Sequence, residues 1–274
     1  MVNSRTEYSE QATEAARMVL LELVRILGEY KDDLVLVGGW VPELLFKQAN
    51  PRHVGSTDVD LALNHLTITN DQYQTILKQL QHHSYLQGEQ PFIFFRNVIV
   101  NGHEVKVQVD FLSGEYGGTT KKHRHQPVQE IKARKARGCD LAFDLAESVG
   151  IEGVLPDGGK DSAIVRVAGI VPFLVMKAMA LAARMKAKDA WDIYFCLINY
   201  PAGNAALAKA FKPHLENKLV KEALSKLRDK FYSPEHVGPK WCADFDEISN
   251  PQDRAIRQRD AFERVNDLLT RLGL

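Results

Sequence analysis

The order of apolar and polar positions divides the chain into two kinds of pattern. From about residue 8 to 29, Ala12, Ala16, Val19, Leu20, Leu23, Ile26 and Leu27 recur at helical spacing. Glu14, Arg17 and Arg25 fall on the opposite face, and Gly28 stands near the end. That spacing predicts an amphipathic helix. Leu34-Val35-Leu36-Val37 is a short apolar run closed by Gly38-Gly39, the pattern of a buried strand entering a tight turn. A short helix over 40–48 follows, with Pro42 where a missing N–H does no harm. Residues 58–63 read as a strand and 71–82 as a helix. Residues 92–100 and 103–112 read as a hairpin across Asn101-Gly102, a dipeptide suited to a type I′ turn. After a mixed section and a strand over 163–167, the pattern turns helical, from 172 to about 200 and again over 205–211, 215–231 and 251–272. The expected fold class is α+β: a mixed sheet with flanking helices over 1–168, then a helical C-terminal domain over 169–274.

Composition narrows this little. Of 274 residues, 45% are hydrophobic and 26% charged, which excludes a disordered, collagenous or coiled-coil chain. Lys plus Arg and Asp plus Glu are 35 each, which argues against a protein that coats nucleic acid through global charge. One local exception is residues 120–137, where Lys121, Lys122, Arg124, Lys132, Arg134, Lys135 and Arg137 face one glutamate. This stretch reads either as a solvated loop or as a contact for triphosphate or RNA backbone. His123 and His125 within it are weak evidence for a metal. The three cysteines, Cys139, Cys196 and Cys242, are far apart and in no C-x-x-C spacing, so reduced structural thiols are expected. Arg5, Glu7, Glu10 and Glu14 precede any apolar run, which argues against a signal peptide. The apolar stretch 168–176 falls short of the ~20 residues a membrane span needs. A soluble cytoplasmic protein is the expectation.

The informative chemistry is Gly38-Gly39, then Gly55-Ser56-Thr57-Asp58-Val59-Asp60-Leu61, then Val107-Gln108-Val109-Asp110-Phe111. Strand residues alternate faces. Val59, Leu61 and Leu63 therefore point one way, and Asp58 and Asp60 the other. In the later strand Val105, Val107, Val109 and Phe111 take the buried face, leaving Asp110 with Lys106 and Gln108. If the strands are neighbours, three carboxylates converge. Oxygen-only ligands favour Mg²⁺, bound through a few carboxylates and substrate phosphates. Two such ions suit an in-line phosphoryl displacement. The glycine pair presents backbone N–H groups to an anion, and Ser56 or Thr57 offers a hydroxyl to phosphate or sugar. The plainer readings are a solvated strand edge and an ordinary tight turn. A second D-x-D, Asp244-Phe245-Asp246, reads as surface. Trp40, Phe94, Phe95, Trp191 and Trp241 read as core, with Trp40 set apart because it follows the glycine turn directly.

A fourth element is Lys177-x-x-Ala180-x-x-x-Arg184-x-Lys186-x-Lys188-Asp189-x-x-Asp192-Ile193. On a continuous helix Lys177, Arg184 and Lys188 lie close in angle, with Asp192 not far off. Phe173 and Leu181 share the stripe, so it is expected to be half buried. It is either an ion-paired structural edge, or Lys177 neutralises triphosphate charge as a point charge and Asp192 accepts a proton.

Together and in order, these elements resemble the polymerase-β-like nucleotidyltransferase superfamily, and the last resembles the signature helix of AbiEii-type nucleotidyltransferases, toxins of type IV toxin–antitoxin pairs. The resemblance spans roughly 34–197. It implies a polymerase-β-like core and a helical domain that walls one side of the active-site cleft. It also implies metal-dependent transfer of a nucleoside monophosphate from an NTP to an acceptor hydroxyl, with release of pyrophosphate. Asp58 and Asp60 would bind two Mg²⁺ ions and Asp110 the catalytic one. Gly38, Gly39, Ser56 and Thr57 would contact the nucleotide, Lys177 would support its triphosphate, and Asp192 rather than Asp189 would be the base, with Arg184 as a buttress. A tRNA or other RNA 3′ end is the implied acceptor, and a cognate antitoxin encoded nearby the implied partner. The rivals are a small-molecule or protein acceptor, a non-catalytic nucleotide-binding module, and a nuclease.

Overall fold

The computed structural model of the chain describes residues 4–64, 66–114, 134–184 and 186–274. They form two compact units, a sheet unit of Ser9–Leu44 and Gly55–Gly169, and a helical unit of Met1–Tyr8, Leu45–Val54 and Ile170–Leu274. Of the basic stretch, Lys121, Lys122, Arg124 and Lys132 lie outside the described residues, as do His123 and His125.

The sheet unit opens with α1 (Glu10–Ile26), whose cap Ser9 accepts from the Ala12 N–H at 3.2 Å. Its apolar stripe buries Ala16, Val19, Leu20 and Leu23 against the sheet. Each buried leucine contributes roughly 1.5–3 kcal/mol. The mixed sheet follows as β1 (Leu34–Val37), β2 (Asp58–Leu63), β3 (Leu86–Gln87), β4 (Ile93–Val100), β5 (His103–Ser113), β6 (Arg134–Lys135), β7 (Ala146–Val154) and β8 (Lys160–Ala168). Its order is β3-β4-β5-β2-β1-β8-β7, with β6 on β5. β1 is antiparallel to β2, while β2 runs parallel to β5. The remaining helices are α2 (Val41–Leu45), α3 (Asn70–His82), held by a Thr69–Gln72 capping box, and α4 (Cys139–Asp144).

The strands expected at 34–37 and 58–63 form there, and the 93–113 hairpin turns through Asn101 at φ 49° and Gly102 at φ 79°. β7 escapes a reading of pattern because Ala-Glu-Ser-Val-Gly-Ile-Glu-Gly-Val carries two glycines and little β propensity. It forms through its full antiparallel pairing with β8.

The helical unit contains α5 (Ile170–Arg184), α6 (Ala187–Asn199), α7 (Gly203–Phe211), α8 (Lys218–Lys230), α9 (Val237–Phe245) and α10 (Pro251–Arg271), the last capped by Asn250 with Pro251 in its first turn. Two expectations are corrected here. The helix read as continuous from 172 to 200 breaks, and Lys186 adopts an extended conformation at φ −95°, ψ 131°. No proline or glycine marks that break, and α6 packs against α5 beyond it. The pair Asp244 and Asp246 is not simple surface either. Asp246 keeps 9% side-chain exposure between Arg5 and Arg257, whereas Asp244 is exposed and meets Arg254. α9 was not legible because Gly238 and Pro239 open it. Gly238 is needed there, since a Cβ would stand 2.6 Å from the Lys230 carbonyl oxygen.

All three cysteines are free and buried. No helix among the described residues is long and apolar enough to cross a membrane.

Candidate active site

On the sheet unit, the register of β2 on β5 sets Asp60 opposite Asp110 and Asp58 opposite Gln108. Adjacent strands lie ~4.8 Å apart, so Asp60 and Asp110 are immediate neighbours, with Asp58 one pleat away on the same face. Val59, Leu61, Val107 and Val109 fill the other face, each at most 3% exposed. The alternation in the sequence thus sets which side the carboxylates take. Asp58 accepts from the Ser56 hydroxyl, and Asp110 accepts from the Gln108 amide at 2.8 Å. Both donors are neutral.

Gly38 ends β1 at φ +74°, and a Cβ there would lie 2.0 Å from Asp60 Oδ2. Only glycine lets the turn come this close to the carboxylate. Gly39 is buried beside it, Ser56 is 5% exposed, and Thr57 is half-buried. Trp40 is core, as expected, at 3% exposure, but it also donates its indole N–H to the Asp58 carbonyl at 2.9 Å.

For a hard divalent cation such as Mg²⁺ the donor chemistry fits, with carboxylate oxygens only and all on one face. Among the described residues no group of three His, Cys, Asp or Glu side chains is drawn together as a ligand cluster. The fit is therefore one of donor type and of backbone placement.

In the helical unit, α5 and α6 bring Lys177, Arg184, Lys188, Asp189 and Asp192 together. Lys177 Nζ lies 2.8 Å from Asp189 Oδ1 and 2.6 Å from Asp192 Oδ2. Arg184 forks onto both oxygens of Asp189 at 2.7 and 2.8 Å, the buttress expected of it. Lys188 Nζ bonds Asp192 at 2.8 and 3.1 Å. Within the stripe expected to be half buried, Lys177 is 6% exposed and Asp192 0%, while Arg184 keeps 43% side-chain exposure.

Burial alone would raise the Asp192 pKa, but Lys177 and Lys188 outweigh it and hold the carboxyl well below the usual range. Burial likewise opposes the charged form of Lys177, and Asp189 with Asp192 reverses this and raises its pKa. For Lys188 burial prevails, and its pKa is lowered. Asp189 is held ionised by Lys177 and Arg184 against its own burial.

His53 carries no signal in the sequence pattern. It sits on the 45–54 segment of the helical unit, fully buried, with Nε2 2.9 Å from Asp192 Oδ1. Its ring lies 5.0 Å from Trp191 and 4.8 Å from Phe195. Burial, then the charge of Lys188, push its pKa down to about 4 despite the Asp192 hydrogen bond. His53 is therefore neutral near pH 7, and because its partner is a carboxylate, Nε2 carries the proton. No spacing signals this contact, since the partners are 139 residues apart. Asp192 thus accepts from Lys188 and His53 and is ion-paired with Lys177 as well. A carboxylate so held is a weak proton acceptor until one donor leaves.

The match to known families follows this geometry. A family model described as "Nucleotidyl transferase AbiEii toxin, Type IV TA system" matches residues 21–268, a span that takes in nearly all of both units. No curated protein matches the chain, and no solved structure matches it.

Proposed function

The chain belongs to the AbiEii nucleotidyl transferase toxin family of type IV toxin–antitoxin systems, and from that premise we propose that it moves a nucleoside monophosphate from an NTP to the 3′ hydroxyl of an RNA such as tRNA, releasing pyrophosphate. The observation that carries the reading is the register of Asp60 on Asp110, with Asp58 on the same face and Gly38 packed on the Asp60 carboxylate. Asp58, Asp60 and Asp110 would hold two Mg²⁺ ions, which supply charge neutralisation at the attacking and leaving oxygens. Gly38 and Gly39 offer backbone N–H groups to phosphate oxygens, and Ser56 and Thr57 offer hydroxyls. Ser56 already donates to Asp58, so a phosphate contact from it exchanges one acceptor for another.

In the helical unit, three cations surround two carboxylates, and cationic side chains of this kind suit an anionic ligand. Lys177 is the member we assign to the triphosphate. Asp192 is assigned to the acceptor hydroxyl as base, and to serve it must release Lys177, Lys188 or His53. A cognate antitoxin is the proposed partner, and the cytoplasm, which supplies NTP and RNA, the proposed place of action.

The test is incubation with Mg²⁺, each α-phosphate-labelled NTP in turn and total RNA, resolved on a denaturing gel beside a variant carrying Asp58→Ala and Asp60→Ala. Label on a tRNA-sized band, absent from the variant, is the expected result. Label carried by protein or by a small molecule instead would reassign the acceptor. Label on RNA that persists in the variant would overturn the site.

A further inference from the structure

β1 ends two residues short of a complete pairing with β2. The register runs from Leu34 opposite Leu63 to Val37 opposite Asp60, so one further pleat would bring Gly39 opposite Asp58. The chain leaves the sheet at Gly38 instead, at φ +74°, and enters a 3-10 turn over Gly38–Trp40. A backbone carbonyl left without its ladder donor is costly when buried. The Trp40 indole N–H reaches the Asp58 carbonyl at 2.9 Å and supplies a donor to it where β1 no longer pairs with β2.

The same ring lies against Gly55. A Cβ at Gly55 would stand 3.2 Å from Cη2 and Cζ3 of Trp40, and Gly55 itself sits at φ +72°. Trp40 therefore touches both ends of the short segment that carries Ser56, Thr57 and Asp58. Ser56 in turn donates to the Asp58 carboxylate. One side chain, rooted in the glycine turn, fixes the backbone from Gly55 to Asp58.

We infer that Trp40 is a positioning residue for the acidic site: its indole N–H sets the Asp58 backbone, and its ring seats Gly55, so that the Asp58 carboxylate is aimed with Asp60 and Asp110. It touches neither substrate nor metal, and the inference rests on the reading of these carboxylates as a metal site. The indole is not a stacking platform for a base, because its N–H is engaged and its ring is 97% covered.

The test compares the full-length wild type with Trp40→Phe, which keeps an aromatic ring near Gly55 and removes the donor. Mn²⁺ binding is read by electron paramagnetic resonance with and without NTP, beside the metal concentration that half-saturates transfer. Loss of one hydrogen bond at the Asp58 backbone is expected to weaken Mn²⁺ binding about five- to tenfold. The half-saturating metal concentration should rise by a similar factor while the KM for acceptor stays unchanged, a split that a general loss of packing would not produce. Equal Mn²⁺ affinity in a folded Trp40→Phe protein would overturn the role of Trp40 and leave the metal site standing. No Mn²⁺ binding by wild type would overturn the metal site, and the inference with it. Should Trp40→Phe not fold, a protein with Trp191→Phe and Trp241→Phe reports through Trp40 as its only tryptophan. Its emission is expected to shift on addition of Mg²⁺ with NTP, and unchanged emission would overturn the inference.

Discussion

Aspartates serve differently in the two units of this protein. On the sheet unit, Asp58 accepts from a hydroxyl and Asp110 accepts from an amide. In the helical unit, Asp189 and Asp192 are held by Lys177, Arg184 and Lys188. Neutral donors orient a carboxylate without cancelling its charge. Cationic donors cancel that charge and tie the carboxylate to the burial around it. The ion-paired arrangement makes the carboxylate part of what holds two helices together.

This contrast can be broken by substitution. Asp58→Ala with Asp60→Ala should reduce nucleotidyl transfer by about three orders of magnitude, the scale of several kcal/mol of lost charge stabilisation. Its denaturation midpoint should stay close to wild type, because both side chains are half-buried rather than buried. Asp192→Ala should do the reverse to stability. It takes the carboxylate from buried Lys188 and leaves Lys177 with Asp189, at a cost of about 3–5 kcal/mol, read as a lowered urea midpoint. If the two variants were equally destabilised, the contrast between half-buried carboxylates and a buried, ion-paired one would fail.

A pH dependence sharpens the same contrast within the helical unit. The folded-state pKa of His53 is lowered from 6.5 to about 4, so on acidification the unfolded chain takes up the proton first. The stability is fully present above pH 6.5 and is lost as pH falls toward 4. Between pH 7 and pH 5 the loss should be about 2 kcal/mol, and His53→Gln should remove that slope. The lowered pKa of Asp192 adds a further loss below its ordinary value of 3.8. An identical slope in His53→Gln would show that another group titrates there.

An effect of similar size is expected at the glycine turn. Gly38→Ala places a Cβ against Asp60 Oδ2 and forces a left-handed backbone on alanine. About 1–3 kcal/mol of strain follows, measurable by thermal denaturation. Transfer should fall as well, because the Asp60 carboxylate must move aside.

Much of this site was legible before any coordinates. A period of two in Asp58-Val59-Asp60-Leu61 and in Val107-Gln108-Val109-Asp110 fixes which residues face the same way once the strands form, and Gly38-Gly39 after four apolar residues marks where the chain must turn. The buried network was legible only in its members. Lys177, Arg184, Lys188 and Asp192 were placed on one stripe of a single helix, yet they meet because two helices, α5 and α6, pack on each other.

Alternation, helical spacing and turn chemistry act over a few residues, and so the sequence by itself determined the α+β class, the strands that carry Asp58, Asp60 and Asp110, and the glycine turn. Contacts between distant segments depend on how the chain packs, which no local pattern reports. The tertiary structure alone therefore decided that β2 registers Asp60 on Asp110, that Trp40 reaches the Asp58 carbonyl, and that His53 closes over Asp192. It also decided that 45–54 joins the helical unit, because the free energy of burying those side chains is realised only when the whole core is assembled.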